Sequence, residues 1–242
     1  MRRDLTGKVV VVVGGSSGMG RASALAFARA GAHVVVSARR REALDEVVRE
    51  IEAAGGRAVA HAADMTKRDE ALGLIERAKE AFGRIDVLLY ATGTNIPRRA
   101  IAELSFEDWE EVLDTNLSGA FYCTKAVLPV MLEQGDGLII YLSTGAAKRA
   151  DVSGVSYQAS KRGLDGLAQG VMQELKGRGV RTTVIYPGLC DTPLLLKRPT
   201  PTPPEVVAKA LRPEDVAETC LFVAQMPSRV HIPELIVAPA DL

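Results

Sequence analysis

The chain has 242 residues, 47% of them hydrophobic and 25% charged, which is enough to bury the core of one α/β domain. Thirty basic residues balance thirty acidic ones, so no bulk field draws the chain to nucleic acid or to an anionic membrane. Any anion site must therefore be local, and the expected partner is a small molecule.

The segment Met1-Arg2-Arg3-Asp4-Leu5-Thr6-Gly7 leads towards an apolar run of only five valines, Val9 to Val13. That run is too short for a signal-peptide core or a membrane span and predicts a cytoplasmic protein. Its continuous β-branched character predicts a strand buried on both faces. An alanine-rich helix is expected over Arg21 to Ala30, and a second strand over Val34 to Val36. Leu44, Val47, Val48 and Ile51 mark one face of the next helix, Ala58 to Ala60 a third strand, and Leu72, Ile75, Ala78 and Phe82 a third helix. Val87 to Tyr90 reads as strand four. Ser105 and Asp108 form a capping box for a helix carrying Trp109, Val112, Leu113 and Leu117. Leu138 to Leu142 gives strand five, and a helix from Tyr157 to about Leu175 buries Leu164, Leu167, Val171 and Met172. Strand six is Thr182 to Ile185, and the proline-rich stretch Lys197 to Pro204 reads as a loop. A last helix, Glu214 to Ala224, and a seventh strand, Leu235 to Val237, close the chain. Strands alternating with helices predict a single domain, a doubly wound seven-stranded parallel sheet with helices on both faces. Ligands of such sheets bind at the carboxyl ends of the strands.

Candidate chemistry falls at those ends. Gly14, Gly18 and Gly20, in Val-Gly-Gly-Ser-Ser-Gly-Met-Gly, follow strand one and open helix one, where backbone amides and the positive helix end can meet a pyrophosphate. Tyr157 and Lys161 lie one helical turn apart on one face. A free tyrosine titrates near pH 10, and a nearby cation lowers that value by favouring the phenolate. Cys123, Cys190 and Cys220 are odd in number and lack a Cys-x-x-Cys pair, which argues against disulfides and zinc. His33, His61 and His231 are scattered, so no metal is expected.

The glycine spacing, together with Asp64, Gly93, Asn116, Ser143-Thr144, Tyr157 with Lys161, and Pro187-Gly188 with Thr192, resembles the short-chain dehydrogenase/reductase family over nearly the whole chain. The resemblance implies a Rossmann-type fold and hydride transfer between a nicotinamide cofactor and a carbonyl or secondary alcohol. Tyr157 is then the general acid in reduction, and Lys161 holds the nicotinamide ribose and keeps the phenol's pKa low. Asn116 holds a water that relays protons from Lys161, and Thr144 orients the carbonyl, with adjacent Ser143 as the alternative. The cofactor is expected against Gly14, Ser16, Ser17, Gly18 and Met19, then Ser37 and Arg39, Asp64 and Met65, Gly93, Tyr157, Lys161, Pro187, Gly188 and Thr192. Ala38 stands where an acid would bind a free ribose, and Arg39 follows it. A 2′-phosphate would meet a guanidinium there, so NADP(H) is expected over NAD(H). The resemblance also implies a homotetramer or homodimer built through the helices at Asn116 and Tyr157.

Two positions depart from the family pattern: Val13 replaces a threonine, and Tyr90-Ala91-Thr92-Gly93 replaces Asn-Asn-Ala-Gly. A polar link between strands one and four is expected to give way to apolar packing. A nucleotide-binding regulator or scaffold of the same fold is the alternative function, and a methyltransferase is disfavoured by Ala38. Residues from Asp191 to Pro213 would cover the crevice. There Leu194, Leu195 and Leu196 suit an apolar group, while Lys197 and Arg198 suit either an acyl-carrier phosphate or water. 3-Oxoacyl thioesters, cyclic ketones and small hydroxy compounds are all admitted as substrates.

Overall fold

The computed structural model describes residues 4–241, so Met1, Arg2 and Arg3 of the amino-terminal segment lie outside the described residues. The five valines of β1 (Val9–Val13) are completely buried. Each such side chain contributes about 1.5–3 kcal/mol relative to exposure. They are buried because β1 lies at the centre of the sheet, flanked by β2 (His33–Ala38) and β4 (Val87–Tyr90). With β3 (Arg57–Ala62), β5 (Gly137–Leu142), β6 (Val180–Pro187) and β7 (Glu234–Val237), the order is β3-β2-β1-β4-β5-β6-β7, all parallel. Strand order reverses between β1 and β4, so the crevice expected of a doubly wound sheet opens there.

The helices are α1 (Gly18–Arg29), α2 (Arg41–Ala53), α3 (Arg68–Phe82), α4 (Phe106–Leu113), α5 (Gly119–Gln134), α6 (Gly145–Lys148), α7 (Val155–Glu174), α8 (Pro204–Val207) and α9 (Pro213–Ala224). Two apolar clusters, one on each face of the sheet, form the core. On one face Val11, Leu88 and Ile139 meet α3, α5 and α7. On the other Val10, Val12 and Ile140 meet α1, α2 and α9. No helix among the described residues is long and apolar enough to cross a membrane.

The expected elements are present, most of them a residue or two longer. Three details differ. Leu72 is 47% exposed, and α3 buries Ala71, Leu74, Ile75 and Ala78 instead. The helix at Asn116 is not one regular rod: α4, capped by the Ser105 hydroxyl accepting from the Asp108 amide at 3.0 Å, runs into a π-helical turn, Asp114–Ser118, and then α5. The proline-rich stretch is bracketed by a 3₁₀ turn, Pro193–Lys197, and by α8.

Candidate active site

Gly14 takes a φ of +85°, which L side chains avoid, and a Cβ there would stand 2.8 Å from the Thr92 amide nitrogen. A Cβ on Gly20 would come within 2.2 Å of the Gly14 carbonyl oxygen, so α1 packs onto the turn only without a side chain. The turn is hung from β2 by Gly14 and Gly15 amides donating to the Ser37 carbonyl at 2.8 and 3.1 Å. Ser17 caps α1 by position, but its hydroxyl makes no capping bond and faces a cavity of about 390 Å³. Backbone amides at a helix start and a wall stripped of side chains suit the pyrophosphate of a dinucleotide.

That first cavity brings together Gly14, Ser16, Ser17, Gly18, Met19, Arg39, Asp64, Met65, Gly93, Tyr157, Lys161 and Thr192. Ser37 is an exception: its side chain is fully buried and its hydroxyl has no partner, so it supports the turn through its carbonyl rather than touching the cavity. Pro187 and Gly188 are the others, since they line a second cavity of about 630 Å³. Ala38 and exposed Arg39 form the rim where β2 ends. Burial opposes the charge on Asp64, yet bonds from the Thr66 amide (3.0 Å) and hydroxyl (2.9 Å) and the nearby Arg39 outweigh it and hold the carboxyl below its usual range.

The two cavities meet at Tyr157, which is 9% exposed and is walled by both. Lys161 is 3% exposed, and its Nζ donates to the Leu142 carbonyl at 2.9 Å. Burial lowers its pKa from 10.5 to about 8, against the field of Asp165. Contrary to the expectation of a lowered phenol, burial pushes Tyr157 up to about 12. Thr144, Arg198 and Arg99 pull it down, whereas the Lys161 ammonium lies 6.0 Å from the ring centroid. Desolvation exceeds the charge effect because the ring is sunk among Ile96 and Val112.

The adjacent hydroxyls diverge, as neighbouring residues leaving a strand do. Ser143 lines both cavities but donates to the Lys161 carbonyl at 3.3 Å, while Thr144, in the second cavity, is the one hydrogen-bonded to Tyr157. Asn116 is fully buried in the π turn. Its Oδ1 accepts from the Thr94 amide at 2.7 Å, and its Nδ2 donates to the Thr94 carbonyl (3.0 Å) and the Ser160 hydroxyl (2.9 Å). Both amide hydrogens are thus spent on protein, and a water held by this side chain would have to donate to Oδ1. Gly93 lies against Lys161 Nζ and Asn116 Oδ1.

Residues 8–201 match the short chain dehydrogenase family. The chain belongs to that family. It is 37% identical, over 98% of its length and 99% of the relative's, to an uncharacterised oxidoreductase of Staphylococcus saprophyticus. It is 38% identical to a 3-oxoacyl-[acyl-carrier-protein] reductase of Synechocystis, covering 94% of this chain and 93% of that one. A variant of actinorhodin polyketide ketoreductase, crystallised with NADPH, superposes with a TM-score of 0.88 at 28% identity, over 99% and 98% of the two chains.

Val13 and Tyr90, from the two stretches expected to depart from the family pattern, pack together. They are register partners in β1 and β4, both completely buried in the same apolar cluster. The Tyr90 hydroxyl turns away from β1 and donates to the Thr115 carbonyl in the π turn at 2.6 Å. As expected, β1 and β4 meet here through apolar packing, and the Tyr90 hydroxyl links β4 to that turn.

In the covering segment, Leu194 and Leu195 line the second cavity, but Leu196 is 88% exposed and adds nothing to it. Lys197 donates to the Thr94 hydroxyl at 2.6 Å, and Arg198 lines the second cavity. Asn95, Arg99 and Arg149, which carry no sequence motif, also reach that cavity. Asn95 ties the loop after β4 to the loop before α7 through the Ser153 carbonyl at 2.9 Å.

Proposed function

We propose that this chain transfers a hydride between NADP(H) and a carbonyl or secondary alcohol carbon, with Tyr157 as general acid in reduction and base in oxidation. The observation that carries the reading is a buried phenol where a glycine-walled cavity meets a second cavity large enough for a substrate. The nicotinamide, when bound, supplies or accepts the hydride at the carbonyl carbon. Tyr157, kept protonated by burial at neutral pH, gives its proton to the carbonyl oxygen, which balances the hydride and leaves an alcohol. Thr144 is the polar neighbour placed to orient that oxygen. Lys161 stays cationic below about pH 8 and holds the ribose end of the cofactor. Asn116 fixes the loop around Gly93 against Lys161 through its bonds to Thr94.

Arg39 on the rim, with Ala38 in place of an acid, supports NADP(H), as does the NADPH bound by the ketoreductase relative. The reductase relative supports a 3-oxoacyl thioester as the first substrate to try. Exposed Phe106, Phe121 and Val155 on α4, α5 and α7 support assembly through these helices into a dimer or tetramer.

The test is NADPH oxidation over a panel holding a 3-oxoacyl thioester, a cyclic ketone, a diketone and a sugar aldehyde, with cofactor binding followed by NADPH fluorescence. Parent turnover that falls by about 10²–10⁴ in Tyr157→Phe, with NADPH still bound, establishes the mechanism. Near-parent rates in that variant sink it, and NADPH binding without any turnover favours a regulatory protein of the same fold.

A further inference from the structure

The second cavity has an unusual charge balance. Arg99, from the loop after β4, Arg149, from the end of α6, and Arg198, from the segment after β6, all contribute to its wall. Asp151 is the one carboxylate there, and its Oδ1 accepts from the Ser153 amide at 2.8 Å. Arg21, Arg41, Arg68, Arg77, Arg84 and Arg181 each face a carboxylate elsewhere in the molecule. Among the described residues, none of the three cavity arginines makes such a close ion pair, and Asp151 acts on Arg99 only at longer range.

Arg99 is the most confined of them. Its Nη1 and Nη2 donate to the carbonyls of Ser153 and Lys197 at 3.5 and 3.1 Å, while its Nε is buried with no partner. The stem is fixed by contact with Gly154, where a Cβ would stand 2.7 Å from Arg99 Cβ. Burial and the like charge of Arg198 disfavour the Arg99 cation and outweigh the attraction of Asp151. Three guanidiniums against one carboxylate, itself bonded to the Ser153 amide, leave an excess of positive charge, and an anion placed between them would offset it through charge-assisted bonds.

We propose that the substrate is recognised through an anionic group, a carboxylate or a phosphate, seated among Arg99, Arg149 and Arg198 while its carbonyl lies at Tyr157. This rests on the carbonyl-reductase reading and adds the chemical class of its substrate. The group is supplied by the substrate itself, as in a keto acid, or by the carrier of a thioester.

The experiment compares matched probes that share one 3-oxobutanoyl group: acetoacetate against its methyl ester, and acetoacetyl-phosphopantetheine against acetoacetyl-pantetheine. Binding of all four to the enzyme is measured by calorimetry alongside turnover with NADPH. The anionic member of one pair is expected to lead its neutral partner by at least about tenfold in kcat/KM or in affinity. The pair that shows the lead identifies carboxylate or phosphate. In Arg149→Gln and Arg198→Gln, both exposed positions, that ratio is expected to fall towards one. Arg99→Gln is run with its melting temperature, because it also releases two loop contacts. Equal handling of charged and neutral partners, or ratios untouched by the substitutions, overturns the proposal. Selective binding of an anion without turnover keeps the arginine site and instead rejects the reductase reading; no binding of any probe overturns the site as well.

Discussion

The two cavities that meet at Tyr157 are walled in opposite ways. On the cofactor side the glycine turn is backbone and short side chains, closed so tightly that Gly20 has no space for a methyl group beside the Gly14 carbonyl, and longer side chains such as Met19, Arg39 and Met65 complete the wall around it. On the substrate side three long guanidinium side chains reach in from three separate segments, two of them from exposed positions. A turn closed at backbone level leaves little room for substitution, whereas flexible stems from exposed positions can be altered with less disturbance to the fold. On the proposed reading, the fixed turn sets the reagent and the adjustable wall sets what is acted on.

Gly20→Ala should break this contrast most severely. With its Cβ driven into the Gly14 carbonyl, NADPH affinity should fall by about a hundredfold or more or the fold should be lost, as read by fluorescence titration and circular dichroism. Arg149→Ala, on the opposite wall, should leave the NADPH Kd within about twofold. If both variants bind alike, the walls do not differ as described.

A smaller effect is expected at the rim of the rigid wall. Arg39→Asp should lower the NADPH-to-NADH preference by about 10- to 100-fold, measured as a ratio of kcat/KM values, through loss of one charge-assisted contact and gain of a repulsive one.

The junction itself should respond to pH. Lys161 falls from 10.5 in the unfolded chain to about 8 when buried, so between these values the unfolded state carries more protons and stability contributed by this residue rises with pH. Tyr157, raised from 10.0 to about 12, works the other way, its contribution being complete below pH 10 and lost as pH rises through 12. Lys161→Met should therefore gain most over the parent in urea-melt stability below pH 8. The gain should shrink by roughly 2 kcal/mol towards pH 10. Reduction by the parent should decline as pH passes 8, and a flat profile would separate Lys161 from cofactor binding.

The smallest change is expected in the strand pair beneath. Val13→Thr buries a hydroxyl beside Tyr90, whose own hydroxyl is already committed to Thr115, and should cost about 1–2 kcal/mol in thermal or chemical melts. A stabler variant would mean that a polar link between β1 and β4 can be accommodated.

The same contrast explains what could be read in advance. The sheet was legible because strands buried on both faces need continuous β-branched runs, and the glycine turn because only glycine fits there. Tyr157, Lys161 and Asn116 followed from spacing and family likeness. Ser37 was misplaced because its position at the end of β2 does not reveal that the side chain points into the core. The tyrosine's pKa was misjudged because a neighbouring charge is visible in spacing and desolvation is not. Arg99 and Arg149 were missed because nothing local distinguishes a loop arginine facing a cavity from one facing water. They share a wall only after the sheet brings the ends of β4, β5 and β6 together.

The π turn between α4 and α5 has a further consequence, one of rotational phase. An additional residue in a helix turns everything after it by about 100°. Here Val112 of α4 packs with Ile96 and Tyr157, while Ala120, Cys123, Val127 and Met131 of α5 enter the main core under the sheet. The rod is a shaft with two separately timed cams, and the turn sets the offset between them. Removing one residue from Asp114–Ser118 would restore a regular helix and misalign whichever cam moved, so the irregularity at Asn116 is what lets one helix serve both the core and the phenol.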